Sequence, residues 1–281
     1  PKKSSSSIGE RLMTFVIILM FLSLMLLLLL GYPVAFTSGF IALVFGVIFL
    51  GIDFFTLLPL RIWGILTNFT LLAVPLFIFM GVILDRSGIA EDLLEAMGKL
   101  SGKLNGGLAL SVVIVGAMLA ATTGVVGATV VTMGIIALPT MLKHNYSASL
   151  ASGTIAASGT LGQIIPPSII LILLGDVMGV PVGRLFVGSI IPGLLLVTFF
   201  MLYILFYSWY RPSVAPAFNL KNNSFNFYQL LSTAIPPLLL IITVLGSIFL
   251  GIATPTESAS VGAIGALILA ACHKRLNLKN L

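Results

Sequence analysis

Residues 147–174 read SASLASGTIAASGTLGQIIPPSIILILL. Ten of the twelve residues from 151 to 162 are Ala, Ser, Gly or Thr, and Pro166-Pro167 follows inside an apolar run. The two prolines remove two backbone donors and disfavour helical geometry at Ile165. The sequence therefore predicts a helix that breaks inside this stretch, and this break decides the fold.

The break has a functional and a purely structural interpretation. Non-helical backbone at membrane depth persists only where it is buried in protein or lines a polar cavity, and broken helices of secondary transporters bind ions and substrates in this way. The alternative is a proline kink that binds nothing. Polar side chains around the break favour a binding site, since they need partners in apolar surroundings. They are Ser158, Thr160, Gln163 and Ser168.

The composition places the chain in a membrane. Of its 281 residues, 59% are hydrophobic and 8% are charged, whereas a soluble domain has about 25% charged residues. Such a chain cannot cover the surface of a soluble enzyme. Its basic residues are scattered, so the net charge of +6 does not indicate nucleic-acid binding. We therefore expect an all-α polytopic membrane protein with the lipid bilayer around it and no nucleic-acid partner.

Apolar stretches of about 20 residues predict spanning helices. We expect spans over residues 12–30, 33–52, 185–210, 228–252 (beginning near Pro236-Pro237) and, shorter, 258–272. Residues 71–84 are apolar but short, and would form a kinked span around Pro75 if their helix began near Arg61. Residues 53–69 are expected to form an interfacial connection.

Residues 89–104 place apolar side chains on one helical face and charged side chains on the other. This pattern predicts a helix lying in the membrane interface, with a solvated loop helix as an equally good alternative.

Residues 107–142 contain no charged residue. This stretch is too long for one span and too short for two full spans. Eight of the ten residues from 120 to 129 are Gly, Ala or Thr. We expect a helical hairpin that enters and leaves by one face, with its tip at mid-membrane; the alternative is a pair of helices packed closely through small residues.

The stretch Thr254-Pro255-Thr256-Glu257 predicts a capping box at the start of the last span. We favour this structural role for Glu257 over an ion-binding one.

Five motifs, in order over nearly the whole chain, resemble the large membrane subunit of tripartite ATP-independent periplasmic (TRAP) transporters. They are residues 31–36 (GYPVAF), the hairpin at 119–139, residues 156–168 (AASGTLGQIIPPS), residues 190–193 (IIPG) and residues 251–257 (GIATPTE). The resemblance implies an ion-transporter-type fold in the cytoplasmic (inner) membrane of a bacterium or archaeon. It also implies sodium-coupled uptake of an organic acid, usually a carboxylate and with a C4-dicarboxylate as one candidate, by an elevator motion.

The resemblance further implies two partners, a small membrane subunit and a periplasmic substrate-binding protein. No enzymatic activity and no cofactor are implied, only sodium as the coupling ion. The hairpin tip and the broken helix would form one sodium site and half of the substrate site. The implied sodium-binding residues are Thr123, Gly124, Ser158, Gly159 and Thr160, and the implied substrate-binding residues are Thr122, Thr123, Gln163, Pro166, Pro167 and Ser168. The family tip usually reads Ser-Gly-Ser, whereas here it reads Thr123-Gly124-Val125, which weakens the sodium assignment.

The resemblance also predicts a domain organisation. Residues 1–11 form a polar tail, 12–84 scaffold spans, 85–106 an interfacial arm helix, 107–182 the transport-domain hairpin and broken helix, and 183–281 further spans. A second, inverted repeat would follow, and this chain is expected to lack it.

Three other hypotheses compete with a TRAP subunit. A related sodium/anion symporter would need no binding protein, and a truncated scaffold subunit would not transport at all. An intramembrane enzyme is disfavoured, because residues 107–142 and 147–175 contain no Asp, Glu, Lys, Arg or His to act as acid, base or nucleophile.

The basic residues predict an orientation. Nine lie on the side of the arm helix and the hairpin mouth and five on the other, which favours the first side as cytoplasmic; the N-terminal lysines, Lys2 and Lys3, disagree with this assignment.

Overall fold

The computed structural model of the chain describes residues 3–101, 104–124, 126–217 and 227–272. Within these residues the secondary structure is helical, without a β-strand. The helices are α1 (Lys3–Leu29), α2 (Val34–Leu50), α3 (Phe54–Leu66), α4 (Ala73–Arg86), α5 (Ile89–Ser101), α6 (Gly107–Thr123), α7 (Val126–Lys143), α8 (Ala148–Thr160), α9 (Ile169–Met178), α10 (Val182–Tyr210), α11 (Phe227–Phe249) and α12 (Pro255–Cys272). The chain divides into two compact units, residues 1–68 and 69–281.

Several helices meet the requirements of membrane spans. Among the described residues, four segments are long and apolar enough: Val126–Lys143, Val182–Tyr210, Leu231–Phe249 and Pro255–Cys272. A bent pair, Ala73–Arg86 with Glu91–Ser101, would be a fifth span. The chain is therefore an all-α, multi-pass membrane protein.

The first unit contains α1, α2 and α3. Helix α1 begins at Lys3, so the predicted polar tail is helical from that residue and continues directly into the predicted span. Helices α1 and α2 pack against each other, as do α2 and α3. Residues 53–69, expected to connect spans, contain the 13-residue helix α3 with Pro59 inside it.

In the second unit, α4 packs along α12, and α11 packs on α12. Close contact depends on glycine, since a Cβ on Gly262 would lie 2.6 Å from the Met80 sulfur and 3.0 Å from Val244 Cγ2. Helix α12 begins with the predicted capping box. The Thr254 amide and hydroxyl donate to Glu257 Oε2 (2.7 and 2.8 Å), and the Glu257 amide donates to Thr254 Oγ1 at 3.3 Å.

The condition for a kink at Pro75 is not met, and the span expected over residues 228–252 begins as predicted but not at its prolines. Helix α4 begins at Ala73 rather than near Arg61, so Pro75 lies in its first turn, where a proline removes no helical hydrogen bond. The sharp bend of 61° instead follows α4, before α5. Helix α11 begins at Phe227 and continues through Pro236 and Pro237, so these prolines do not start it.

The amphipathic helix α5 covers its apolar face with protein. Ile89, Leu93 and Leu94 are buried, and α5 contacts α6 and α11. On its outer side Lys99 forms an ion pair with Glu95 at 2.5 Å. The periodicity of the sequence identified this face, which is covered by the next helix, α6, and by α11 from far along the chain.

Candidate functional site

Residues 107–143 form two helices in contact, α6 and α7, separated by Gly124 and residue 125. Gly124 has a φ of +59°, a left-handed conformation that glycine adopts without steric cost. Both helices also pack against α8. The two helices and the short turn agree with a helical hairpin, while its depth in a membrane remains a prediction.

The base of the hairpin is tied to the turn that follows α10. The Gly106 amide donates to the Ala215 carbonyl and the Ser147 amide to the Val214 carbonyl, both at 2.9 Å. The buried Tyr146 hydroxyl accepts a hydrogen bond from the Leu108 amide at 3.2 Å. Burial raises the pKa of the Tyr146 phenol, so this group stays neutral at physiological pH. The hairpin is therefore anchored at its base, opposite the tip.

The predicted break is present in the helix after the hairpin. Helix α8 ends at Thr160, a single 3₁₀ turn covers Leu161–Gln163, and α9 starts only at Ile169. The break thus begins six residues before Pro166. Leu161, Gly162, Pro166, Pro167 and Ser168 are all buried, so most of the non-helical backbone is enclosed by protein, whereas Gln163 is exposed.

The tip of the hairpin meets the end of the break. A Cβ atom on Gly124 would lie 3.3 Å from the Pro167 carbonyl oxygen and 3.4 Å from the Ile169 amide nitrogen. The 3₁₀ turn also contacts both α6 and α7. The two segments that the sequence analysis singled out therefore come together in space.

Four helix ends converge on this contact. The C-terminal end of α6 and the N-terminal end of α7 flank Gly124, and the N-terminal end of α9 begins at Ile169; the 3₁₀ turn that extends α8 completes the set. Helix C-terminal ends present carbonyl oxygens with partial negative charge, and N-terminal ends present amides with partial positive charge. Such a site can bind a cation and an anion without any ionised side chain.

The N-cap residue of α9 does not cap the helix with its side chain. Ser168 occupies the N-cap position but makes no side-chain cap, because its hydroxyl donates to the Gln163 carbonyl at 2.8 Å. An anion at this helix end would therefore not compete with the Ser168 side chain.

Two other predicted residues, Ser158 and Gly159, lie farther from the hairpin tip, where α8 packs on α6 and α7. Ser158 packs against α6 at Gly116, where an added Cβ would be 2.7 Å from the Ser158 Cβ. Gly159 packs against Val130 of α7. Gly116 precedes Gly124 by eight residues, about 12 Å along a helix. The Ser158 hydroxyl is fully buried and donates to the Ile155 carbonyl at 3.0 Å.

The remaining predicted residues are more accessible. Thr160 is exposed and its hydroxyl donates to the Ala157 carbonyl at 2.7 Å, and Gln163 is exposed. The side chains of Thr122 and Thr123, and all of Val125, lie outside the described residues. The structure thus brings Gly124 together with Pro167, and separates that pair from Ser158 and Gly159.

Sequence reasoning missed two contacts at the site. Ile169 touches the tip, and Gly193 of α10 packs behind the break, with an added Cβ lying 3.2 Å from Ile165 Cγ1. The predicted motif at residues 190–193 includes Gly193, but no local pattern shows that Ile165 of the break lies against it. A separate cavity of about 550 Å³ between α8 and α10 is lined by Thr154, Phe199 and Tyr203, among others, and includes none of the predicted site residues.

Comparisons with known proteins identify the family. The family model described as "Tripartite ATP-independent periplasmic transporter, DctM component" matches residues 21–281. The C4-dicarboxylate TRAP transporter large permease protein of Vibrio cholerae is 32% identical over 255 residues, which cover 90% of this chain and 55% of that protein.

Two relatives with other named substrates are equally similar. The sialic acid TRAP transporter large permease protein of V. cholerae is 32% identical over 86% of this chain and 56% of its own length. The isethionate TRAP transporter permease protein of Oleidesulfovibrio alaskensis is 32% identical over 90% of this chain and 39% of its own length. The chain thus spans little more than half the length of the large permease proteins it matches. Sequence motifs, helical architecture and family model agree that this chain belongs to the DctM component family of TRAP transporters.

Proposed function

We propose that this chain is part of a sodium-coupled secondary transporter that takes up an organic acid delivered by a periplasmic binding protein. The observation that carries the proposal is the contact of Gly124 with Pro167 and Ile169, which brings helix ends of both polarities to one point. Family membership supports the same function. We place the transporter in the bacterial or archaeal inner membrane, with a small membrane subunit as its second partner.

The charge balance of the site supports sodium coupling. A carboxylate inside a membrane is energetically costly, and residues 107–142 and 147–175 offer no basic side chain to offset it. Bound sodium ions and the N-terminal end of α9 would neutralise the substrate instead. Carbonyl oxygens at the ends of α6 and α8 suit sodium as ligands.

The class of substrate follows from the relatives and the site together. The names of relatives specify a C4-dicarboxylate, sialic acid, isethionate and ectoine, each of which carries an acidic group. We therefore propose an organic acid, with a C4-dicarboxylate as one candidate. We further propose that transport occurs by an elevator motion of the hairpin and broken helix (residues 107–182) against the scaffold helices (residues 12–84).

The decisive experiment is uptake into proteoliposomes driven by a sodium gradient. The chain is reconstituted alone, then with a TRAP small membrane subunit and a periplasmic binding protein, and then with the C-terminal part of a full-length large permease relative. A panel of labelled dicarboxylates, sulfonates and sialic acid is tested. We expect uptake that requires both sodium and the binding protein. Uptake without the binding protein would instead favour a related sodium/anion symporter, and no uptake in any combination would contradict transport by this protein.

The sodium site has its own test. We expect Thr123→Ala to raise the sodium concentration for half-maximal uptake about tenfold, because the loss of one ligand costs about 1.4 kcal/mol. Ser158→Ala should have a smaller effect, since Ser158 lies about 12 Å below the tip. Unchanged sodium dependence in both variants would contradict the assignment of this site.

A further inference from the structure

Helix α7 of the hairpin forms a side-chain hydrogen bond with α4. Thr132 of α7 donates a hydrogen bond from Oγ1 to Asp85 Oδ2, at the C-terminal end of α4, at 3.1 Å. The two residues are 47 positions apart in the chain. Asp85 is half-buried, and the charged groups nearest to it are Arg86 and Glu91.

This contact differs from the rest of the packing of α7. The buried stripe of α7 consists of Thr129, Met133, Ala137 and Met141, and this helix packs mainly on α6 and α8. The hydrogen bond instead reaches α4, which packs along α12. Among the described residues, the Thr132–Asp85 pair adds a polar contact between α7 and α4, a helix that also packs on α6 of the hairpin.

The position of Thr132 relates this contact to the tip. Thr132 lies six residues after Val126, about 9 Å along α7. Val130, one half-turn before Thr132, is the residue that packs against Gly159 at the end of α8. The hydrogen bond therefore acts at the level where the hairpin meets the broken helix.

The chemistry of the Thr132–Asp85 pair suits a contact that holds α7 at one position along α4. Asp85 is half-buried, so its carboxylate is partly removed from water and gains from a hydrogen-bond donor. The Thr132 hydroxyl reaches it at 3.1 Å, a distance that depends on the position of α7 along α4.

We propose that Asp85 is a positioning residue, which in this conformation holds α7 against α4 and thereby supports the contact of Gly124 with Pro167 and Ile169, and which releases Thr132 when the hairpin moves against the scaffold helices. The proposal rests on the proposed sodium-coupled transport. Asp85 touches neither ion nor substrate; it acts through Thr132 and the hairpin.

The first test measures sodium dependence in the reconstituted transporter. Thr132→Val removes the hydroxyl and keeps the shape, Asp85→Asn removes the charge, and Thr132→Ser keeps the hydroxyl. We expect the sodium concentration for half-maximal uptake to rise about threefold to tenfold in Thr132→Val, as for the loss of one hydrogen bond, with the maximal rate less affected, and to rise less in Asp85→Asn, whose amide oxygen still accepts the bond. Thr132→Ser should restore the original value.

A matched control lies on the same helix. The Thr140 hydroxyl donates to the Ile136 carbonyl of α7 itself at 3.2 Å, so Thr140→Val removes a threonine hydroxyl without breaking a contact between helices. We expect its sodium dependence to be unchanged. An equal shift in Thr140→Val and Thr132→Val would overturn the proposal.

A second test does not depend on transport. The exposed Cys272 is replaced by Ser, and the exposed Ala128 near the tip is replaced by Cys. We expect a maleimide to label Ala128→Cys several-fold faster when Thr132→Val is added, but not when Thr132→Ser or Thr140→Val is added. Equal labelling rates in folded variants would overturn the positioning role. Failure of uptake in the unaltered protein would contradict the proposed function alone, because the labelling result decides the role of Asp85 separately.

Discussion

At the residue scale, the site depends on glycine at the tip. Gly124 combines a φ of +59° with close contact to Pro167 and Ile169. The positive φ strains any other residue, and a Cβ would press against Pro167 and Ile169, so together the two features favour glycine. The hydroxyl residues around it provide polarity, but Gly124 provides the close approach of two backbone segments.

Gly124→Ala tests this requirement. We expect a loss of about 1–2 kcal/mol in stability, because a non-glycine residue is strained at positive φ, and a clear loss of sodium-dependent uptake. The measurements are thermal unfolding in detergent and uptake in proteoliposomes. Gly127→Ala is the matched control, since a Cβ there meets nothing within 4 Å. Equal behaviour of the two variants would contradict the importance of the tip contact.

At the element scale, α8 holds the hairpin together by packing between its two helices. Adjacent residues of α8 face different partners, with Ser158 against Gly116 of α6 and Gly159 against Val130 of α7. Small residues permit this approach, as in other membrane helix pairs. The predicted small-residue stretch is thus explained by packing below the site, in addition to any binding at its end.

The packing of α8 can be tested with two glycines of that helix. Gly159→Ala places a methyl group against Val130, and we expect it to lower stability by about 1–3 kcal/mol through overpacking. Gly153→Ala meets open space, so it should change stability by less than about 0.5 kcal/mol. Melting temperatures in detergent provide the comparison. A smaller loss in Gly159→Ala than in Gly153→Ala would mean that α7 and α8 do not pack as described.

Element by element, local chemistry determines how much the sequence predicts. The capping box at Thr254 and Glu257 was predictable because all its partners lie within four residues. The helix break was predictable from Pro166-Pro167, but its early start at Thr160 was not, because that depends on the contacts of the 3₁₀ turn with α6 and α7. Two adjacent prolines do not always break a helix, because Pro236-Pro237 lie inside α11, as neighbouring helices allow in membrane proteins.

The same distinction between local patterns and long-range packing applies to the candidate site. The sequence and the family resemblance indicated both segments, the hairpin tip and the break. They did not indicate that Pro167 and Ile169, rather than Ser158, lie against Gly124. Nor did they indicate Asp85, whose partner Thr132 is 47 residues away. Such pairings arise from the way the helices pack, and no local pattern encodes them.

At the scale of the whole molecule, the outward surface is built for lipid. Large apolar side chains along α10 are strongly exposed, including Leu194, Leu195, Phe199 and Leu202, and exposed apolar surface of this extent is unusual in soluble proteins. Helix α10 has 29 residues, about 43 Å, which exceeds the hydrocarbon thickness of about 30 Å. Its C-terminal end is aromatic, with Trp209 and Tyr210 exposed, as expected at a membrane interface.

A charge placed along α10 should report its depth. We expect Leu195→Arg, near the middle of the helix, to reduce membrane insertion by about 2.5–3.5 kcal/mol. Trp209→Arg, near the aromatic end, should have little effect because an interfacial arginine reaches the headgroups. The amounts of folded protein in isolated membranes measure the difference. Equal yields for the two variants would contradict the assignment of α10 as a span.

The length of α9 has an electrical consequence. Helix α9 has ten residues, which rise about 15 Å, half of the hydrocarbon thickness. Its C-terminal end carries the exposed Asp176, and the turn into α10 leads to the exposed Arg184, so that end belongs at the membrane surface. We therefore expect the Ile169 end to lie near the mid-plane, where about half of the membrane voltage would have dropped. Moving an ion to this point from either side of the membrane would involve electrical work of about 1.2 kcal/mol per charge at 100 mV. The ten-residue length of α9 sets the fraction of the membrane voltage that the ion crosses.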